Sequence, residues 1–138
     1  MRGITLLGMI SLCACSYQRA EHYPATQAVA RMVVTQRLDA GGQPYMDTAE
    51  LSRKARSIYA DLWIYDSSAG EHTITCRLYS LHGQLRDEQE LPAVNPGHTT
   101  LHRTCSFSLE TYDPVGTWSL QILMDGQPLT QRRLAIGP

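Results

Sequence analysis

Between Val29 and Ile136 the chain is a succession of short segments in which apolar and polar side chains alternate, each closed by Gly, Pro, Asn or Asp. A period of two puts successive side chains on opposite faces of a strand, so such segments bury their apolar residues by packing one sheet on another. The segments are Val29 to Leu38, Ile58 to Tyr65, His72 to Leu81, Gln84 to Leu91, Thr99 to Leu109, Thr117 to Met124 and Gln131 to Ile136. About seven strands separated by turn signals predict a mainly all-β fold, an antiparallel β-sandwich. Parity assigns Ile58, Ala60, Leu62 and Ile64 to the core, together with Ile74, Cys76, Leu78, Leu101, Cys105, Phe107, Leu109, Trp118, Leu120, Ile122 and Met124.

The turns have their own chemistry. Asp125-Gly126 stands between Met124 and Gln127, where a two-residue hairpin needs positive φ at both central positions. His82-Gly83 does similar work, and Gly41-Gly42, Asn95-Pro96-Gly97 and Asp113-Pro114 mark longer connections. Pro128 cannot donate to a ladder, which predicts a final strand at a sheet edge. One stretch departs from the pattern. Asp47 and Glu50 resemble a capping box, and Leu51, Ala55 and Ile58 fall at helical spacing, so residues 48–57 read as a short helix or else as a basic loop leading into the next strand.

The first fifteen residues carry a different signal. Arg2 precedes an apolar run from Ile4 to Leu12, followed by Cys13, small Ala14 and Cys15. The run Leu12-Cys13-Ala14-Cys15 resembles the lipobox of bacterial lipoprotein precursors. That resemblance implies cleavage before Cys15, lipidation of its thiol and acylation of its new amine, and hence anchoring to a membrane through several acyl chains. Ser16, in place of Asp after the cysteine, implies outer-membrane sorting with the domain facing the periplasm. The apolar run is shorter than the ~20 residues a helix needs to cross a bilayer. Residues 16–27 are polar, include Pro24 and show no period, so they read as a tether with a reach of about 20 Å.

Removing 14 of the 138 residues leaves 124, enough for one domain spanning 28–138. Arg2 leaves with the signal segment, so 11 of the 12 basic residues face 13 acidic ones. That balance offers no basic face for nucleic acid and no polybasic stretch for anionic lipid. Once Cys13 is removed and Cys15 lipidated, Cys76 and Cys105 remain, both at inward positions in an oxidising compartment. A disulfide is the simplest reading. The alternative, a two-cysteine metal site completed by histidines, lacks Cys-x-x-Cys or His-x-x-Cys spacing.

Near the C-terminus, Asp113-Pro114-Val115-Gly116-Thr117-Trp118, a strand and Asp125-Gly126-Gln127-Pro128-Leu129 resemble the closing hairpin of bacterial immunoglobulin-like envelope domains. The resemblance implies an immunoglobulin-like sandwich and says nothing of function.

No Gly-x-Ser-x-Gly elbow or phosphate loop is present, and the reading is of a non-enzyme without cofactor. His98 and His102 share parity and His72 could join them at a surface metal site, but solvated histidines are the plainer account. Asp87, Glu88 and Glu90 lack calcium-loop spacing. More pointed is the outward parity of Tyr59, Trp63 and Tyr65, with Asp61 among them, and of Arg77 and Tyr79 on the next segment. Aromatic and arginine side chains dominate binding hot spots, so these five are the candidate protein-binding residues. The alternative makes Trp63 the core tryptophan against the disulfide. The resulting expectation is a lipid-anchored protein that binds another envelope protein, as an accessory or pilotin-like factor of a secretion or envelope assembly. A second expectation is a periplasmic inhibitor or immunity-type lipoprotein that pushes the loop from Asn95 to Thr100 into the cleft of a lysozyme-like or toxin enzyme.

Overall fold

The computed structural model describes residues 28–138, so the lipobox-like run, Cys15 and the tether expected over residues 16–27 lie outside the described residues. Eight strands follow in order: β1 (Val29–Thr35), β2 (Glu50–Ser52), β3 (Ser57–Tyr65), β4 (Gly70–Tyr79), β5 (Leu85–Asn95), β6 (Leu101–Ser108), β7 (Gly116–Met124) and β8 (Gln127–Gly137). They form a three-stranded sheet, β1-β3-β6, and a five-stranded sheet, β2-β8-β7-β4-β5. Every pairing is antiparallel except that of β2 with β8. The result is an immunoglobulin-like β-sandwich, and the chain changes sheet five times, between β1 and β2, β2 and β3, β3 and β4, β5 and β6, and β6 and β7.

The alternation read from the sequence sets the core. Ile58, Ala60, Leu62 and Ile64 of β3 are fully buried and face Ile74, Cys76 and Leu78 of β4, with Leu101, Cys105 and Phe107 beside them on β6 and Trp118, Leu120 and Ile122 on β7. Cys76 and Cys105 are joined, with their α-carbons 6.5 Å apart, so the disulfide spans the two sheets inside the core. Trp118, not Trp63, is the core tryptophan: it is 1% exposed, and its Nε1 donates to the Pro114 carbonyl at 3.0 Å, satisfying the one polar atom it buries. Side chains stitch the sheets where β5 and β6 run alongside. Gln89 Oε1 accepts from the Ser106 N–H (2.9 Å), and Arg103 Nε donates to the Pro92 carbonyl (3.1 Å). Both bonds occupy strand-edge groups that would otherwise be free to pair with another chain.

The predicted helix over 48–57 does not form. Its would-be cap, Asp47, has its carboxylate on the Val34 N–H (3.0 Å) and Arg132 (2.5 Å) instead. Leu51 is buried by adding β2 to the sheet beside Ala135–Gly137, and the Gln36 side chain bonds both N–H and C=O of Ser52 as a further strand would. Only one 3₁₀ turn follows, Arg53–Ala55, capped by Ser52 Oγ and ended by Arg56 at φ 61°. Sheet pairing buries Leu51 and satisfies its neighbours' backbone groups, whereas an isolated ten-residue helix is marginal in water.

The last strand starts at Gln127, earlier than Gln131, because the two-residue turn leaves Gln127 paired with Met124; a bulge at Ile122/Leu123 sets Leu123 opposite Pro128. β8 is also not simply an edge strand. It lies between β7 and β2, but β2 covers only Ala135–Gly137, which leaves Pro128 on a stretch where its missing N–H costs nothing. Asp125 (φ 50°) and Gly126 (φ 78°) make the tight turn as expected. Asp113, read as a turn residue, is 3% exposed and accepts from Arg86 at 2.8 and 3.2 Å and from the Glu110 N–H at 2.6 Å. Burial opposes its ionisation, but those bonds outweigh it and hold the carboxyl below its ordinary range.

Replacing Cys76 and Cys105 together by Ser is expected to lower stability by about 3 to 4 kcal/mol, from the entropy of the loop that the disulfide closes. Denaturant unfolding of oxidised wild type and double variant measures it, and coincident curves would contradict an energetic role for the bridge.

Candidate binding face

β3 is the middle strand of the three-stranded sheet, so its outward residues are flanked on both sides by outward residues of β1 and β6. Register sets the rows: Val29 beside Tyr65; Arg31, Trp63 and His102; Val33, Asp61 and Thr104; Thr35, Tyr59 and Ser106. In the second row the Trp63 and His102 rings stack, with centroids 4.7 Å apart and planes 16° from parallel. The Arg31 guanidinium lies 5.5 Å from the Trp63 ring. Cation, indole and imidazole therefore form one stack across the sheet.

In the neighbouring row lies Asp61, fully buried although its parity is outward. Its Oδ1 takes His102 Nε2 at 2.5 Å and the Thr104 hydroxyl at 2.8 Å, while Oδ2 has no partner among the described residues. A buried acid requires hydrogen-bond partners, and its bonds to His102 and Thr104 restrict how those side chains can turn. Tyr65 is 37% and Val29 58% exposed, side by side at the end of the same face.

The five candidate residues do not share one surface. Tyr59, Trp63 and Tyr65 lie on the outer face of the three-stranded sheet, whereas Arg77 and Tyr79 belong to β4 in the other sheet and face out on the opposite side of the sandwich. The parity assignments were correct; the chain's change of sheet between β3 and β4 separates the two groups. On the far face Arg77 Nε donates to Glu88 at 2.8 Å, and the Tyr79 hydroxyl lies 3.4 Å from Gln121 Oε1. Glu88 thus leaves the acidic run to pair with Arg77, and Arg86 turns away from that run to Asp113. Arg31 was absent from the candidates because nothing in its own segment shows which strand lies beside it.

The histidines are likewise separated. His102 belongs to the stack and His98 stands at φ 53° in the β5–β6 loop, while His72 is buried at the end of β4. No group of three metal-ligating side chains occurs among the described residues. His98, Thr99 and Thr100 form one wall of a 340 Å³ pocket whose other wall is Tyr65, Asp66 and Ser67, at the end of the candidate face. Asn95 holds this end together: Nδ2 donates to the Ser67 carbonyl (3.0 Å) and hydroxyl (2.7 Å), and Oδ1 accepts from Gly97 N–H at 2.9 Å.

His72 meets acceptors at both ring nitrogens, Asp125 Oδ2 at 2.6 Å and the Ser68 carbonyl at 2.7 Å. The Asp125 hydrogen bond foremost, then that of Ser68, raises its pKa above 6.5 against the opposing effect of burial. Burial disfavours ionised Asp125, but the bonds from His72 and the Thr73 N–H prevail and lower its pKa.

No protein-family model and no curated protein matches the sequence. Among solved structures, an immunoglobulin-like protein from Pseudomonas aeruginosa aligns over 83% of this chain and 99% of its own length, at 14% identity and a TM-score of 0.47. A Pseudomonas fluorescens alkylpurine DNA glycosylase aligns over 82% of this chain and 31% of its own, at 10% identity and a TM-score of 0.55. A β-glucosidase from Erythrobacter marinus aligns over 81% of this chain and 16% of its own, at 10% identity and a TM-score of 0.53. This chain spans less than a third of either enzyme, and likeness at such identity is one of fold alone.

The raised pKa of His72 fixes the sign of a pH effect. Its contribution to stability is fully present below pH 6.5 and is lost as pH rises through the elevated folded value. Melting temperature is therefore expected to fall as pH increases above 6.5, and His72→Gln is expected to remove that part of the slope. Identical pH profiles for the two proteins would contradict the assignment.

Proposed function

We propose that this chain is a non-enzymatic, lipid-anchored envelope protein that binds another envelope protein through the outer face of the three-stranded sheet. The observation that carries the reading is the Arg31–Trp63–His102 stack with Tyr65 and Val29 exposed beside it. Trp, Tyr and Arg are the side chains most enriched at binding hot spots. The stack is also ordered before any partner arrives, which reduces the entropy lost on association. The opposite face is a poorer candidate, because its Arg77 is paired with Glu88 and its exposed Arg133, in register with Ser119, is not stacked on an aromatic row. The lipobox ending at Cys15 supports acylation and, with Ser16, a place at the outer membrane facing the periplasm. Size and anchoring suit an accessory or pilotin-like factor of a secretion or envelope assembly.

The inhibitor reading has one observation in its favour. Asn95 ties the β5–β6 loop to Ser67 and to the Gly97 N–H, a restraint that suits a segment entering a preformed cleft. Under that reading the co-purified protein is a hydrolase or toxin, and substitutions at His98 and Thr99, more than at Trp63, release it.

Co-purification from solubilised membranes tests the proposal. Trp63→Ala is expected to cost about 2 kcal/mol of affinity for the native partner, while Arg77→Ala leaves capture unchanged. Equal capture by wild type and Trp63→Ala would contradict the assigned face. In the same preparations, Cys15→Ala is expected to remove the protein from the membrane fraction and the acyl mass from its N-terminal peptide. Retention of the variant in membranes would contradict lipid anchoring.

A further inference from the structure

We propose that Arg31 and its stack recognise a carboxylate on an acidic segment of the bound protein; this rests on the protein-binding reading above and names the chemistry of the partner.

Charge complementarity carries the inference. Three arginines of this domain have carboxylate partners: Arg77 with Glu88, Arg86 with Asp113 and Arg132 with Asp47. Arg31 has no ion pair among the described residues, and neither do Arg37, Arg53, Arg56, Arg103 and Arg133; of these six, Arg31 is the one in register with Trp63 and His102, with its guanidinium against the Trp63 ring. Asp47 senses its charge, but that carboxylate is bonded to Arg132 and the Val34 N–H. Asp61, two residues along β3 from Trp63, is fully buried and bonded to His102 and Thr104. A guanidinium set against an aromatic face keeps its N–H donors free in the plane of the group, where a carboxylate takes two of them at once.

The remaining members of the row position this cation. His102 packs against Trp63, which also meets Arg31, and Asp61 sets the orientation of His102 through the 2.5 Å bond. That role accounts for an acid at an outward position that is nonetheless fully buried and bonded to His102. Tyr65 and Val29 add exposed apolar surface one row along the sheet, so the fitting segment has an acidic residue next to apolar ones. His102 and Asp61 are thus positioning residues, and Arg31 is the group that touches the ligand.

The test uses the full-length lipoprotein in neutral detergent micelles, with hexaglutamate and hexaglutamine peptides as probes and the ¹⁵N–H signal of the Trp63 indole as readout. Hexaglutamate is expected to shift that signal and hexaglutamine to leave it. Arg31→Glu is expected to weaken hexaglutamate binding at least roughly tenfold, as loss of a charge-assisted bond does. Arg31→Lys is expected to retain part of the binding, and Arg77→Glu all of it. His102→Ala is expected to move the Trp63 signal before any peptide is added and to weaken binding less than Arg31→Glu.

Hexaglutamate binding undiminished in Arg31→Glu would overturn the inference, as would Arg31-dependent binding to phosphatidylglycerol vesicles with none to hexaglutamate. Co-purification separates the two levels. A partner lost by Trp63→Ala but retained by Arg31→Glu removes the carboxylate inference and leaves protein binding standing. Arg31-dependent hexaglutamate binding without any captured protein sustains the carboxylate site and counts against the protein-binding reading.

Discussion

The two sheets meet across Cys76 and Cys105, and what each strand shows to solvent follows from that contact. Both cysteines are fully buried, one on β4 and one on β6, and their bond fixes the inner face of each sheet at the centre of the core. With those two parities fixed, Ile74 and Leu78 face inward with Cys76 while Arg77 and Tyr79 face out on one side. On the other, Phe107 joins Cys105 inside while His102 and Thr104 face out. Register with β6 then brings Trp63 beside His102 and Asp61 beside Thr104. The bridge therefore stabilises the fold and also specifies which side chains can make up a surface.

Much of this was legible in the sequence because strand parity is a local property. Alternation placed Ile58, Ala60, Leu62 and Ile64 inside and Tyr59, Trp63 and Tyr65 outside before any strand had a neighbour, and the Asp125-Gly126 turn was equally local. Sheet membership is not local. Tyr65 and Arg77 are close in sequence, yet the chain changes sheet between them, and the anticipated five-residue face became two faces. Arg31 and Trp63 are distant in sequence yet adjacent in register. The helix expected over 48–57 failed for a related reason, since local cap and spacing signals were outweighed by partners elsewhere: Arg132 for Asp47, Ala135–Gly137 for β2 and Gln36 for Ser52.

The two outer faces differ in what their arginines meet. On the far face Arg77 is paired with Glu88 and the Tyr79 hydroxyl lies by Gln121, while Arg133, exposed and in register with Ser119, is neither ion-paired nor stacked on a ring among the described residues. Around Trp63 an arginine is stacked but not paired, a carboxylate is buried in the neighbouring row, and Tyr65 and Val29 are exposed beside it. An unpaired arginine stacked on an aromatic row is the physical basis for proposing recognition at the three-stranded sheet.

Site-specific photo-crosslinking in intact cells tests this assignment most directly. A photoreactive amino acid at Tyr65 or at Tyr79, on opposite faces of the same sandwich, samples the two surfaces under identical conditions. The expected result is a discrete crosslinked protein from position 65 and none from position 79. The same crosslinked band from position 79, with none from position 65, would contradict the account.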